Sequence, residues 1–157
     1  MEEVKIESRN TNETINLGKK LASLIIKSGL ETVILTLEGD LGAGKTTLTK
    51  GILETLESSD NVESPTFVFL HIHNGKIKLY HFDFYRISTL NEIDEIGILE
   101  FLQKKGIIVI EWGEKVREII EPDIAIIIKK TGKNKRELTF EYSEKFKRVF
   151  YENFINK

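Results

Sequence analysis

The most specific chemical signal in the sequence is the stretch GDLGAGKTT, residues 39–47. It matches the spacing G-x-x-x-x-G-K-[ST] of a phosphate-binding loop (P-loop). In such a loop the glycines let backbone N–H groups approach phosphates, the lysine reaches the β- and γ-phosphate oxygens, and the hydroxyl binds Mg²⁺. The apolar strand TVILTLE precedes the loop and a predicted helix follows it, which is the context that the motif requires. The predicted nucleotide contacts are Asp40, Leu41, Gly42, Ala43, Gly44, Lys45, Thr46 and Thr47.

Two carboxylates follow apolar segments further along the chain, Asp83 after KIKLYHF and Glu111 after GIIVI. Ligands in open α/β sheets bind at the carboxyl ends of strands, so both are expected beside the loop. Glu111 is the cleaner metal candidate, because IIVIE has a full Walker B profile. Asp83 would bind a water of the metal or orient the attacking water. We therefore predict Mg²⁺ ligands among Thr46, Glu111 and Asp83, and catalytic roles for Asp83, Glu111 and Lys45.

The segment SPTF, residues 64–67, lies between the predicted P-loop helix and the next strand. Switch segments of nucleotide hydrolases place a Ser or Thr hydroxyl on the γ-phosphate side at this point. Thr66 is predicted to be that hydroxyl and is counted with the catalytic residues, and a simple strand-entry turn is the alternative. His81 precedes Asp83 by two residues on one strand face, so it is predicted to orient that carboxylate.

Alternating helices and apolar strands predict the elements that must position these groups. A helix within NTNETINLGKKLASLIIKSG is followed by the strand TVILTLEG and by a P-loop helix from about Thr46 to Leu56. Then come a hairpin with a tight NG turn, a helix over STLNEIDEIGILEFLQKKG, the strand GIIVIEW, a second hairpin around TGKNK and a C-terminal amphipathic helix. The predicted fold class is α/β: a three-layer P-loop NTPase fold whose mostly parallel sheet carries antiparallel hairpin additions, with helices on both faces.

Composition limits the other possibilities. A length of 157 residues suits one domain over residues 1–157, and a net charge of −2 gives no general attraction for nucleic acid. The chain has no cysteine, its start MEEVKIESRN lacks an apolar signal core, and no run approaches 18 apolar residues. We therefore expect a cytoplasmic protein without membrane association.

Four segments, GDLGAGKTTL, SPTF, HFDFYR and IEWGE, together resemble the TsaE (YjeE) ATPases, and the similarity runs from ETINLGKKLA to GKNKRELTF. The resemblance implies a bacterial protein that binds ATP and Mg²⁺ and has weak ATPase activity alone. It implies support of threonylcarbamoyladenosine formation next to the anticodon in tRNAs reading codons that begin with A. The implied partners are the TsaD and TsaB proteins in a heteromeric complex, with tRNA contacted only through them.

Carried over by position, the resemblance adds Trp112 and Glu114 beside the nucleotide. It also places Thr11, and either Gly132 or Arg136, near the base or ribose. The helix from Ser143 has no counterpart in the family pattern, and its aromatic face either packs in the core or meets a partner.

Two other functions remain open. A GTPase-like switch is suggested by NKRE, residues 134–137, although Glu137 replaces the Asp of N-K-x-D and Asp83 is followed by FYR rather than by the x-x-G of a D-x-x-G switch. A small-molecule kinase would usually carry an acceptor site and an arginine-rich lid, and neither is evident. Arg86 is either an arginine finger for the γ-phosphate or a structural ion-pair partner. The preferred interpretation is a regulatory ATPase whose nucleotide cycle controls a partner enzyme.

Overall fold

The structure, a computed structural model, describes residues 1–58 and 69–156. Seven strands form one sheet in the order β1-β7-β6-β2-β5-β4-β3. In chain order they are β1 (Glu2–Ser8), β2 (Thr32–Glu38), β3 (Leu70–His73), β4 (Leu79–Asp83), β5 (Gly106–Glu111), β6 (Ile124–Lys130) and β7 (Arg136–Tyr142). Strand β2 is parallel to β5 and β6, and β4 is parallel to β5. The outer pairs β1–β7, β6–β7 and β3–β4 are antiparallel, so the predicted α/β class with antiparallel additions is confirmed.

Helices cover the two faces of the sheet. They are α1 (Thr11–Ser28), α2 (Lys45–Thr55), α3 (Leu90–Ile96), α4 (Ile98–Phe101) and α5 (Lys147–Phe150), and 3₁₀ turns span Gly113–Lys115 and Glu144–Phe146. The larger core cluster joins α1, α2 and the C-terminal segment to the central strands, and the smaller one lies under α3, α4 and residues 112–120. Within the described residues, no helix is both long enough and apolar enough to span a bilayer.

The helix boundaries follow local capping chemistry. The side chain of Asn10 accepts a hydrogen bond from the Glu13 amide at 2.9 Å, and Gly29 ends α1 with a φ of 69°. The Thr89 half of the predicted capping box forms, because the Glu92 amide donates to the Thr89 hydroxyl at 3.3 Å. The long helix predicted after it is wrong, since Gly97 with a φ of 75° separates α3 from α4.

Two further elements differ from the prediction. Strand β1 was not predicted, although Val4 and Ile6 alternate with charged residues and pack against the core. Charges on its exposed face suit an edge strand, because they discourage pairing with another chain. The connection between β3 and β4 is residues 74–78 rather than a tight NG turn. It packs on the end of α2, where the Lys76 amide donates to the Leu56 carbonyl at 2.8 Å.

The aromatic face of the C-terminal segment packs in the core. Phe146 and Phe150 are fully buried, and the Phe150 ring stacks on Tyr142 at a centroid distance of 4.4 Å and an interplanar angle of 8°. The helical path continues past α5 as a π-helical turn over Tyr151–Ile155. Of the two readings of this face, core packing is therefore the one that the structure supports.

Candidate nucleotide-binding site

The P-loop connects the end of β2 to the start of α2 at the carboxyl edge of the sheet. Gly39 has a φ of 147°, and a Cβ atom added there would lie 2.5 Å from the carbonyl oxygen of Ile128 on β6. Gly44 has a φ of 116° immediately before α2. Both conformations are ones that residues with side chains rarely adopt. The two glycines of the motif are therefore required by the backbone path of the loop.

A cavity of about 310 Å³ opens above this loop. Its lining consists of Leu41, Gly42, Ala43, Gly44, Lys45, Thr46, Thr47, Phe69, Asp83, Tyr85, Arg86, Glu111 and Trp112. Most of the predicted site residues, from two strand ends and the loop, therefore meet in one cavity. Thr66 lies outside the described residues.

Lys45 is only 6% exposed and lies folded against its own loop. Its ammonium donates to the carbonyl oxygens of Gly39 and Asp40, and lies 3.9 Å from the centre of the Trp112 ring. Burial lowers the pKa of Lys45, while Glu111, Glu114 and two other carboxylates oppose that shift. The lysine is thus a desolvated cation within the cavity, held by weak neutral acceptors.

Acidic side chains end two adjacent strands beside the lysine. Asp83 and Glu111 are register partners on β4 and β5 and are 9% and 2% exposed. The Thr46 hydroxyl donates to Glu111 Oε1 at 3.2 Å, and Asp83 Oδ1 accepts from the Tyr85 amide at 2.9 Å. Carboxylate and hydroxyl oxygens are the ligand types that Mg²⁺ prefers. The donor set is therefore compatible with a magnesium ion next to Thr46.

His81 does not make the contact that the sequence predicted. Its Nε2 lies 2.6 Å from Glu111 Oε2, so the imidazole is hydrogen-bonded to the last residue of β5 and not to Asp83. This pairing could not be predicted from local sequence patterns, because it depends on β4 lying next to β5.

The EWGE turn after β5 closes one side of the cavity. Trp112 has a φ of 63°, and its ring centroid lies 5.1 Å from that of Tyr85. Glu114 lies two residues further on and is exposed. Partial burial of its carboxyl raises its pKa, and the charge of Glu38 adds to this shift. Hydrogen bonds from its own backbone amide and from that of Gly39, together with the charge of Lys45, oppose the shift. Its neighbourhood therefore includes both ends of the P-loop motif.

A second contact, at the end of the strand that leads into the P-loop, was not predicted from the sequence. Glu38, the last residue of β2, is 5% exposed and forms a bidentate ion pair with Arg117, whose Nε donates to Oε1 at 2.5 Å. The carboxylate raises the pKa of the Arg117 guanidinium through this hydrogen bond. The turn after β5 is thereby tied to the strand that leads into the P-loop.

The hairpin between β6 and β7 reaches the other side of the loop. Arg136 Nε donates to the Ala43 carbonyl at 2.7 Å, and its Nη2 lies 3.4 Å from the Gly42 carbonyl. A small polar depression beside this contact is lined by Thr11, Thr14, Gly44, Thr47, Asn134 and Arg136. Thr11 and Arg136 are therefore brought together next to the loop, whereas Gly132 is not part of that lining among the described residues.

The sheet order, the strand–loop–helix unit and the acidic strand ends define a P-loop protein of the α/β class. The fold is similar to the crystal structure of Bacillus subtilis YdiB, with a TM-score of 0.76 and 32% sequence identity over 96% of this chain and 93% of that chain. Residues 8–138 match the family "Threonylcarbamoyl adenosine biosynthesis protein TsaE". The chain belongs to the TsaE family, which confirms the resemblance found in its motifs.

Two relatives illustrate the extent of the similarity. The tRNA threonylcarbamoyladenosine biosynthesis protein TsaE of Bacillus subtilis (strain 168) is 39% identical over 142 residues, covering 89% of this chain and 86% of the relative. The Haemophilus influenzae protein of the same name is 42% identical over 118 residues, covering 73% of this chain and 74% of the relative.

Proposed function

We propose that this protein binds ATP with Mg²⁺ and hydrolyses it to regulate a TsaD–TsaB complex in tRNA threonylcarbamoyladenosine biosynthesis. The observation that carries the ATPase proposal is the meeting of Lys45, Thr46 and Glu111 in one cavity over a P-loop. The place in tRNA modification is supported by membership of the TsaE family and by the names of the relatives.

The loop fits a chain of phosphates. Its glycine positions leave no Cβ between the backbone and the cavity, and the amides at the start of α2 add the partial positive charge of a helix N-terminus. Lys45 supplies a full positive charge that is already desolvated. Phosphate oxygens would be stronger acceptors for it than the carbonyls of Gly39 and Asp40, because charge-assisted hydrogen bonds exceed neutral ones.

The acidic strand ends supply the remaining roles. A magnesium ion held by Thr46 and Glu111 would stabilise the negative charge on the transferring phosphoryl oxygens. Asp83 orients the attacking water or a water of the metal's shell. During hydrolysis the oxygen of the attacking water bonds to the γ-phosphorus. The bond between that phosphorus and the oxygen bridging to ADP breaks, and a proton of the attacking water passes to solvent. Thr66 is proposed as the hydroxyl that senses the γ-phosphate.

The cavity has room for part of a nucleotide. Its volume of about 310 Å³ is at the lower end of the range for ligand pockets. An ATPase cycle that changes the affinity for a partner needs no acceptor pocket. The proposed partners are the TsaD and TsaB proteins, with tRNA reached only through them.

The test is ATP hydrolysis by the purified protein, alone and with the TsaB and TsaD proteins of the same organism. We expect slow turnover alone and strong stimulation by the pair, lost in Lys45→Ala. Brisk turnover without partners, or transfer of phosphate to an added small molecule, would contradict the regulatory role and favour a kinase. A preference for GTP over ATP in the same assay would favour the GTPase-like alternative.

A further inference from the structure

The carboxylate of Glu111 is held by two different donors, one on each oxygen. Thr46 Oγ1 lies 3.2 Å from Oε1, and His81 Nε2 lies 2.6 Å from Oε2. His81 is 0% exposed and Glu111 is 2% exposed, so water does not compete for the hydrogen bond between them. Both oxygens of this buried carboxylate therefore have fixed directions before any ligand binds.

The strand register explains the contact. Asp83 pairs with Glu111 and His81 pairs with Val109, so His81 lies one pleat earlier than Glu111 on the same face of the sheet. When Glu111 is ionised its oxygens only accept hydrogen bonds, and the imidazole then donates from Nε2. Within residues 1–58 and 69–156, His81 Nδ1 has no hydrogen-bond partner. Among these residues, Glu111 is therefore the hydrogen-bond partner of the His81 ring.

We propose that His81 is a positioning residue for Glu111: by holding Oε2, it keeps Oε1 directed at the metal position beside Thr46. The inference rests on the proposed function, because it concerns the ligand geometry of a nucleotide-dependent Mg²⁺ site. Lys45 is the competing attraction: burial lowers the pKa of its amine, and the nearby charge of Glu111 is the strongest influence opposing that shift. Without the imidazole, a buried carboxylate with one donor left would turn towards the lysine or lose its single orientation.

Two substitutions separate the hydrogen bond from the size of the side chain. In His81→Gln, the amide nitrogen is as many bonds from Cβ as imidazole Nε2 is, so it can donate to Glu111. In His81→Asn, the amide nitrogen is one bond closer to Cβ and does not reach. The matched control is His71→Gln, which changes the cross-strand neighbour of His81 on β3.

The measurement is the Mg²⁺ concentration at half-saturation of ADP or ATP binding, followed by the fluorescence of Trp112, the single tryptophan of the chain. Substitution of a residue that orients a metal ligand typically lowers metal affinity about 10- to 100-fold. We expect His81→Asn to raise the Mg²⁺ midpoint by about that factor and His81→Gln to restore most of the loss. Nucleotide affinity in EDTA and the His71→Gln midpoint should stay at wild-type values.

A second background tests whether His81 acts through Glu111. In Glu111→Gln, adding His81→Asn should change the Mg²⁺ midpoint no further, because the group that it positions is already altered. Equal shifts in both backgrounds, or no shift in the wild-type background, would overturn the positioning role. A wild-type protein that binds no nucleotide overturns the proposed function, and this inference with it. Melting temperatures measured without nucleotide or metal report separately on any loss of folding.

Discussion

Arg136 Nε donates a hydrogen bond to the carbonyl oxygen of Ala43 at 2.7 Å, which ties the β6–β7 hairpin to the P-loop. The same guanidinium lies 3.4 Å from the Gly42 carbonyl through Nη2. A loop whose carbonyls are held outward presents its amides towards the cavity. Arg136 therefore contributes to the loop conformation in addition to any contact with the base or ribose.

Arg136→Met should weaken nucleotide binding without unfolding the protein. Removing a charged donor from the loop carbonyls costs about 1.5–3 kcal/mol, which corresponds to at least a tenfold rise in the dissociation constant for ATP if the loop loses its binding conformation. Isothermal titration with ATP measures this. The control is Lys133→Met, an exposed residue of the same hairpin. Equal affinities for both variants and wild type would exclude a role for Arg136 in the loop.

Lys45→Ala should remove most of the nucleotide affinity and all partner-stimulated turnover. The lost ammonium makes charge-assisted hydrogen bonds to phosphates, so the dissociation constant for ATP should rise about 100-fold. The measurement is Trp112 fluorescence during ATP titration, because Lys45 lies 3.9 Å from the centre of that ring. Lys50→Ala, at an exposed position of the same helix, provides the matched control. Wild-type affinity in Lys45→Ala would show that the loop does not bind phosphates.

Asp83→Ala and Glu111→Ala should separate binding from hydrolysis. Both carboxylates lie at strand ends in the cavity lining, and we propose that they act on the metal or the water rather than on the nucleotide. At saturating Mg²⁺ we expect nearly unchanged ATP binding and turnover at least about 100-fold slower. Single-turnover phosphate release with the partner proteins present measures the second quantity. Normal turnover in either variant would remove that carboxylate from the catalytic residues.

The parts of this site that sequence alone predicts are those encoded locally. The loop motif and the strand before it specify the phosphate cradle within residues 32–47, and the strand-end rule finds Asp83 and Glu111. Contacts between residues far apart in the sequence were not predicted, because no local sequence pattern indicates them. His81 and Glu111 are 30 positions apart, Glu38 and Arg117 are 79 apart, and Ala43 and Arg136 are 93 apart.

The elements show the same division. Caps at Asn10 and Thr89 are local hydrogen bonds between residues three positions apart, and both were predictable. Strand β1 is stabilised by its pairing with β7, and its many charged residues make it difficult to predict as a strand from one sequence. The helix break at Gly97 depends on a left-handed backbone conformation, which a glycine permits but does not require.

Glu114 should make the stability of the nucleotide-free protein depend on pH. Burial and Glu38 raise its pKa above the ordinary value of 4.5, so the folded protein retains this proton to a higher pH than the unfolded chain. As pH rises, the unfolded chain loses this proton before the folded protein does. The contribution of Glu114 to stability therefore falls as pH rises from about 4.5 through the raised pKa.

Glu114→Gln should therefore flatten the loss of stability as pH rises above about 4.5. Urea unfolding at several pH values gives the free energy of unfolding for each variant. Glu118→Gln, at an exposed position of the same segment, should keep the wild-type slope. Identical slopes for Glu114→Gln and wild type would show that the carboxyl is not perturbed in solution.

Phe150→Ala should be among the most destabilising single substitutions in the chain. The ring is 0% exposed and stacks with Tyr142 and Phe154 at centroid distances of 4.4 and 5.1 Å. Removing a buried phenylalanine typically costs about 3–5 kcal/mol. The adjacent Tyr151 is 52% exposed, so Tyr151→Ala should change the free energy of unfolding by no more than about 0.5 kcal/mol. Urea unfolding of both variants measures the difference. Similar small losses would mean that the C-terminal segment does not complete the core, and its aromatic face would then be available to a partner.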